Sequence, residues 1–281
     1  MTPVDGSGTG SSVTTRTGHP KTLLMCPPDY FRVEYAINPW MDPANPVDPG
    51  LAGRQWTALK DTYARLGHTV RLIEPRPDLP DMVFAANGAT VIGGTVLGSK
   101  FRYPERAGEG PAYLDWFRRN GYQAVTDPAE VNEGEGDLIF AHRAIIAGYG
   151  FRSSRAIQRQ AAALFGLPVI GVRLIDPRYY HLDTALLVLD ADTAAYYPAA
   201  FDDAGRAALA AHFGHLIEAK DEDAEVLGLN GLSDGRTVVL PAQATGLAGQ
   251  LEAAGFSVVG VDMSEFAKSG GGPKCCTLEL R

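Results

Sequence analysis

A unit of nearly constant length repeats along this chain, and that restricts the fold more than any other feature. Each copy opens on a polar residue, enters an apolar strand, turns on small or polar residues and returns as a second apolar strand. Copies start at Asn87 (turn Gly93-Gly94), Glu133 (turn Ala141-His142-Arg143), His181 (turn Asp190-Ala191-Asp192) and Asn230 (turn Asp234-Gly235), and Cys275 marks a fifth start. By subtraction, successive markers lie 46, 48, 49 and 45 residues apart. Such a period denotes one supersecondary unit repeated about an axis or along a solenoid. A helix and a further strand are expected after each hairpin, the helices beginning near Leu51, Gly110, Ser154, Ala204 and Thr245. Trp56, Leu59, Tyr63 and Leu66 give the first its apolar face, ending at Gly67; Leu209, Phe213, Leu216 and Ile217 read as one face of the fourth. The strands expected at 22–26 and 275–280 each lack a hairpin partner. Pairing them removes both free edges and closes a ring. The expected fold is therefore α/β, a five-bladed pseudo-symmetric propeller closed by its N- and C-terminal strands. Residues 20–281 form its single domain, and the Gly-, Ser- and Thr-rich residues 1–19 a disordered tail.

Composition narrows the partners. A net charge of −8 argues against non-specific nucleic-acid binding, which needs a basic surface. No run approaches the ~20 apolar residues that span a bilayer, and residues 1–19 lack the apolar core of a signal peptide. Three cysteines, two of them adjacent, make no disulfide framework, so a reducing cytoplasm is expected. No Cys/His spacing suggests a zinc site, and neither a metal nor a cofactor is expected.

A closed ring brings equivalent strand starts to its axis. Asn87, Glu133 with Glu135 and Asp137, His181 and Cys275 would then meet. A thiol, an imidazole and carboxylates are the parts of nucleophilic attack with general acid/base help. The Cys275-Cys276 pair follows the flexible run Ser269-Gly270-Gly271-Gly272-Pro273; on a strand only one of the two can face the axis. Taken alone, the pair also suits a buried strand, and His181 suits a core position. Strand alternation puts Glu133, Glu135 and Asp137 on one face, where a cationic ligand would relieve their repulsion.

Several motifs then occur in order: Met25-Cys26-Pro27-Pro28-Asp29-Tyr30-Phe31, Ile37-Asn38-Pro39-Trp40-Met41, Pro80-Asp81-Met82-Val83-Phe84-Ala85-Ala86-Asn87, Asn132-Glu133-Gly134-Glu135-Gly136-Asp137, Tyr180-His181-Leu182-Asp183-Thr184 and the Cys275 ending. Over residues 22–281 the chain resembles the guanidine-modifying group of the pentein superfamily, most nearly its bacterial dimethylargininases and the hydrolase module of arginine dihydrolases. The resemblance implies a cysteine nucleophile at Cys275, a general acid/base at His181 and a catalytic acid at Glu133, with Glu135 as the alternative. It implies substrate contacts at Asp81, Asn87, Asp183 and Glu135, and carboxylate-binding arginines at Arg106 and Arg152. Hydrolysis of dimethylarginine to citrulline and dimethylamine through a covalent thiouronium is the expected activity. Arginine dihydrolase and arginine deiminase are the alternatives, amidinotransferase a more distant one. A non-catalytic ring is the alternative of another class, since one pentein is a ribosome-binding initiation factor. Dimethylargininases carry acids where this chain has Ala86 and Asn87, whereas arginine dihydrolases carry Asn at the latter. The expected partner is a small guanidino substrate, and the chain is expected to act as a monomer or homodimer.

Overall fold

The computed structural model describes residues 16–281. Its strands form five open three-stranded sheets. In chain order the elements are β1 (Thr22–Met25), α1 (Pro49–Arg65), β2 (Thr69–Leu72), β3 (Ala89–Ile92), β4 (Thr95–Gly98), α2 (Glu109–Arg119) and β5 (Ala124–Thr126). Next come β6 (Leu138–Ala141), β7 (Ala144–Tyr149), α3 (Ile157–Phe165), β8 (Val169–Arg173), β9 (Leu186–Val188), β10 (Thr193–Tyr196), α4 (Asp203–His212) and β11 (His215–Glu218). The last are α5 (Asp221–Ala224), β12 (Leu232–Ser233), β13 (Thr237–Pro241), α6 (Thr245–Ala253), β14 (Ser257–Val261), α7 (Ser264–Ala267) and β15 (Leu278–Glu279). Four sheets repeat one pattern: an antiparallel hairpin, a helical crossover, then a strand parallel to the hairpin's second strand. The fifth assembles the same pattern from the chain's two ends. There β15 runs antiparallel to β1, with Leu23 opposite Glu279 and Leu24 opposite Leu278, and β2 lies parallel to β1 after α1.

The first helix shows how local signals set the frame. Asp48 accepts from Leu51 N at 3.0 Å and Pro49 opens the first turn, while Ala52, Trp56, Leu59 and Tyr63 face inward. Leu59 is fully buried, worth ~1.5–3 kcal/mol. Tyr63 reaches the turn that carries Cys275: its hydroxyl donates to Pro273 O at 3.3 Å and stands 3.1 Å from Thr277 Oγ1. The fourth helix is shorter than its apolar spacing suggests. It ends at His212, and Leu216 and Ile217 belong to β11, where parallel pairing with β10 outweighs helical spacing. Among the described residues no helix is long and apolar enough to cross a membrane.

Of the tail expected at 1–19, residues 1–15 lie outside the described residues. Arg16 lies 3.5 Å over the Phe256 ring, donates to Ala254 O at 3.0 Å and pairs with Asp190, while His19 N donates to Asp234 O at 2.8 Å. Deleting residues 1–18 is therefore expected to cost about 1–2 kcal/mol relative to deleting 1–15. Thermal unfolding of the two truncations should differ by about 2–5 °C; equal midpoints would leave Arg16 without a stabilising role.

Candidate active site

Four of the five repeat markers stand at tight turns just before the first strand of a repeat, and Asn230 lies two residues before β12. Asn87 lies in a 3₁₀ turn, Ala85–Gly88; Glu133 and His181 precede the turns Gly134–Gly136 and Leu182–Thr184. Cys275 and Cys276 also sit in a turn, which corrects the expected strand 275–280; only Leu278–Glu279 pairs as strand. Thr277 fixes the turn, its N donating to Lys274 O at 2.8 Å and its Oγ1 to Pro273 O at 2.7 Å. The preceding glycines are buried rather than a loose hinge. A Cβ on Gly271 would stand 2.3 Å from Cε1 of Phe84, so glycine is there for close approach.

Cys275 is 2 % exposed, and its Sγ donates to Asp183 Oδ2 at 3.3 Å. Burial, then the Asp183 charge, push the thiol up. Burial likewise pushes the Asp183 carboxyl up to about 6, against the pull of His181 and of the thiol hydrogen bond. The second oxygen of Asp183, Oδ1, is buried without a partner among the described residues. His181 Nε2 and Glu133 Oε2 are 2.7 Å apart, and His181 Nδ1 is also buried with no partner among the described residues. Gly136 allows the approach: a Cβ there would fall 2.3 Å from Asn87 Nδ2 and 3.2 Å from the His181 ring. Glu133 also accepts from Arg152 Nη1 at 2.9 Å and from Arg102 N at 3.1 Å. Burial opposes its ionisation, but Arg152 and His181 outweigh it and hold the carboxyl well below the usual range.

The acidic run does not share one face. The turn Gly134–Gly136 replaces the extended strand that alternation assumed and sends the three carboxylates apart. Asp137 accepts from Ser153 N and Leu182 N, both at 3.1 Å. Glu135 does not join Glu133 and His181; it accepts from Lys274 Nζ at 2.6 Å and Glu279 N at 3.0 Å and pairs with Arg281. Burial works against the Lys274 charge, but Glu135 and Glu279 keep its affinity for a proton raised.

Arg106 differs from its expected use. Its fork is taken by Glu109, with Nε and Nη2 at 2.8 and 2.7 Å from the carboxylate, and Nη1 donates to Asn87 Oδ1 at 3.0 Å. Burial, opposed by Arg106, pushes Glu109 up to about 7. Asn87 Nδ2 in turn donates to Glu133 O at 3.4 Å. Asp81 accepts from Tyr35 Oη at 2.8 Å and from Ser269 Oγ at 3.2 Å. Arg152 lies 4.5 Å from the Tyr180 ring centre and donates to Ile37 O at 3.1 Å. Residues 35–40 thus cross the site, tied down further by Asn38 Nδ2 to Ser269 O at 3.1 Å and Trp40 Nε1 to Arg178 O at 2.7 Å. A cavity of about 760 Å³ borders Asp183 and Lys274 but takes no wall from Cys275, His181 or Glu133.

Sequence reasoning assigned no role to Glu109, Tyr35, Ser269 or Asn230. Asn230 alone carried a usable signal, since it marks the fourth repeat.

The family model described as eukaryotic N,N-dimethylarginine dimethylhydrolase matches residues 49–281. The chain belongs to this family. It is a C–N hydrolase of the dimethylargininase type, acting on guanidino groups, which sets aside the non-catalytic ring. Relatives agree. The dimethylarginine dimethylaminohydrolase of Mycobacterium tuberculosis is 52% identical over 265 residues, 94% of this chain and 87% of that one. A crystal structure of the N-terminal domain of ArgZ, a cyanobacterial arginine dihydrolase, in a Cys-to-Ser mutant bound to substrate, matches with TM-score 0.89 at 35% identity. The match covers 92% of this chain and 98% of that one. The dimethylarginine dimethylaminohydrolase of Pseudomonas aeruginosa, a mutant complexed with citrulline, shares the fold at TM-score 0.78 and 20% identity, over 92% and 98% of the two chains.

Proposed function

We propose that this hydrolase converts dimethylarginine and water to citrulline and dimethylamine, with Cys275 as nucleophile. The observation that carries the reading is the pairing of Cys275 Sγ with Asp183 Oδ2 at 3.3 Å, beside an Asp183 oxygen that has no partner among the described residues. A guanidinium N–H supplies what that oxygen lacks, and the cation favours a thiolate that burial disfavours. The thiolate attacks the guanidino carbon, and the C–N bond to dimethylamine breaks as His181 protonates the leaving nitrogen. His181, neutral again, takes a proton from water as the oxygen attacks the thiouronium. Loss of the Cys275 sulfur then leaves the ureido group of citrulline. Glu133, held ionised by Arg152, orients His181 and stabilises its charged form. Asp81 and Asp183 surround the cation, and Arg152, with the single Nη1 hydrogen that Arg106 has left over, receives the amino-acid carboxylate. The five sheets are read as blades of a closed propeller around this site, a reading supported by the β15–β1 pairing.

Asn87 favours a second reading, arginine dihydrolase, because its neutral amide meets Glu133 and Arg106 where an acid would add charge. Product analysis with arginine and the methylarginines offered separately tests both readings. Dimethylamine with citrulline supports the first; ornithine, carbon dioxide and ammonia from arginine would replace it. Asn87→Asp is nearly isosteric and should change the kcat/KM ratio of dimethylarginine to arginine about tenfold, ~1.4 kcal/mol in differential binding. An unchanged ratio would remove Asn87 from the specificity argument.

A further inference from the structure

Asn230 is fully buried and touches Cys275 twice. Its Oδ1 accepts from Cys275 N at 3.0 Å, and its Nδ2 donates to Cys275 Sγ at 3.1 Å and to Asp183 O at 3.0 Å. The amide can take only this orientation, because a backbone N–H needs the oxygen opposite it. Both Nδ2 hydrogens are then spent, one on a carbonyl and one on the sulfur. Its own backbone is pinned on both sides, N donating to Leu227 O at 2.9 Å and O accepting from Lys274 N at 3.2 Å.

We propose that Asn230 is the positioning residue for the Cys275 sulfur, donating one N–H to Sγ so that the thiolate is stabilised and the S–H proton is directed to Asp183. The sulfur cannot donate toward an N–H, so its hydrogen points along the 3.3 Å contact to Asp183 Oδ2. Ionisation there balances simply: the S–H bond breaks, the electron pair stays on sulfur, and the proton leaves by way of Asp183 Oδ2 to water, so that Asp183 is again ionised for the substrate cation. The ionisable groups acting on the thiol are Asp183, Cys276 and Tyr180. Burial and Asp183 push it up, and the Asn230 hydrogen bond pulls it back.

The proposal rests on Cys275 being the nucleophile, yet it is tested on thiol ionisation rather than turnover, so the two can fail separately. In a Cys26→Ala/Cys276→Ala background Cys275 is the one thiol of the chain. Its ionisation can then be followed by ultraviolet thiolate absorbance against pH, with no reagent having to reach the site. Asn230→Asp keeps the acceptor for Cys275 N but sets an oxygen against the sulfur. The midpoint should rise by at least about one pH unit. Asn230→Ala should give a smaller rise, and thermal unfolding shows which variants fold. Asn230→Ser, the smallest disturbance that removes this N–H, carries the same test if neither of the others folds. A purely structural Asn230 would lower the unfolding temperature and leave the midpoint in place; an unmoved or lowered midpoint in any folded variant overturns the proposal.

Discussion

Cys275→Ser is expected to lower kcat/KM by at least about 10³-fold with little loss of stability. A serine hydroxyl fits the same space and keeps the contacts to Asn230 and Asp183, so the fold should survive. It does not ionise at neutral pH as a thiol can, and it is the weaker nucleophile. Cys276 provides the control one residue away. It packs in the apolar cluster with Leu23, Met25 and Leu232. Cys276→Ala should cost ~1 kcal/mol of stability and leave the rate within about threefold of wild type. Trapping with a haloacetamidine and peptide mass spectrometry should put the label on Cys275. A label confined to Cys276, or a serine variant with near-normal turnover, would reverse the assignment.

The hairpins were legible because their turns are local chemistry. Gly93-Gly94 and Asp234-Gly235 fall between the paired strands β3–β4 and β12–β13 as the sequence places them. The pairing of the two chain ends was legible because each end strand lacked a neighbour. What could not be read were features set by distant partners. Thr277 and Tyr63 bend the segment around Cys275 into a turn, although its residue pattern reads as strand. Glu135 leaves the acidic group because Lys274 and Arg281 draw it to the other side of the Gly134–Gly136 turn, and neither is near it in sequence. Glu109 reads as an ordinary first-turn acid of α2, yet it takes the Arg106 fork expected to meet a substrate carboxylate. In each case alternation or spacing gave the neighbourhood, and a buried ion pair or hydrogen bond chose the direction.

Glu133→Gln is the second large effect, because one carboxylate serves both chemistry and stability. It bridges His181 and Arg152 with both side chains buried. Glutamine preserves shape but lowers the capacity to stabilise a protonated His181, so kcat/KM should fall about 10²–10⁴-fold. Arg152 keeps an amide oxygen but loses a buried counter-charge, at a cost of roughly 2–4 kcal/mol. The sign with pH follows from the lowered Glu133 value. An acid whose folded value lies below its unfolded one, near ~4.3, stabilises fully above that value and progressively less as pH falls toward the folded one. Urea unfolding of wild type and variant should therefore show a constant gap from about pH 7 to pH 5 and a shrinking gap below about pH 4. A gap that widened on acidification would mean that Glu133 is not ionised in the folded protein. A variant keeping the wild-type rate would remove Glu133 from the acid/base pair, whatever its effect on stability.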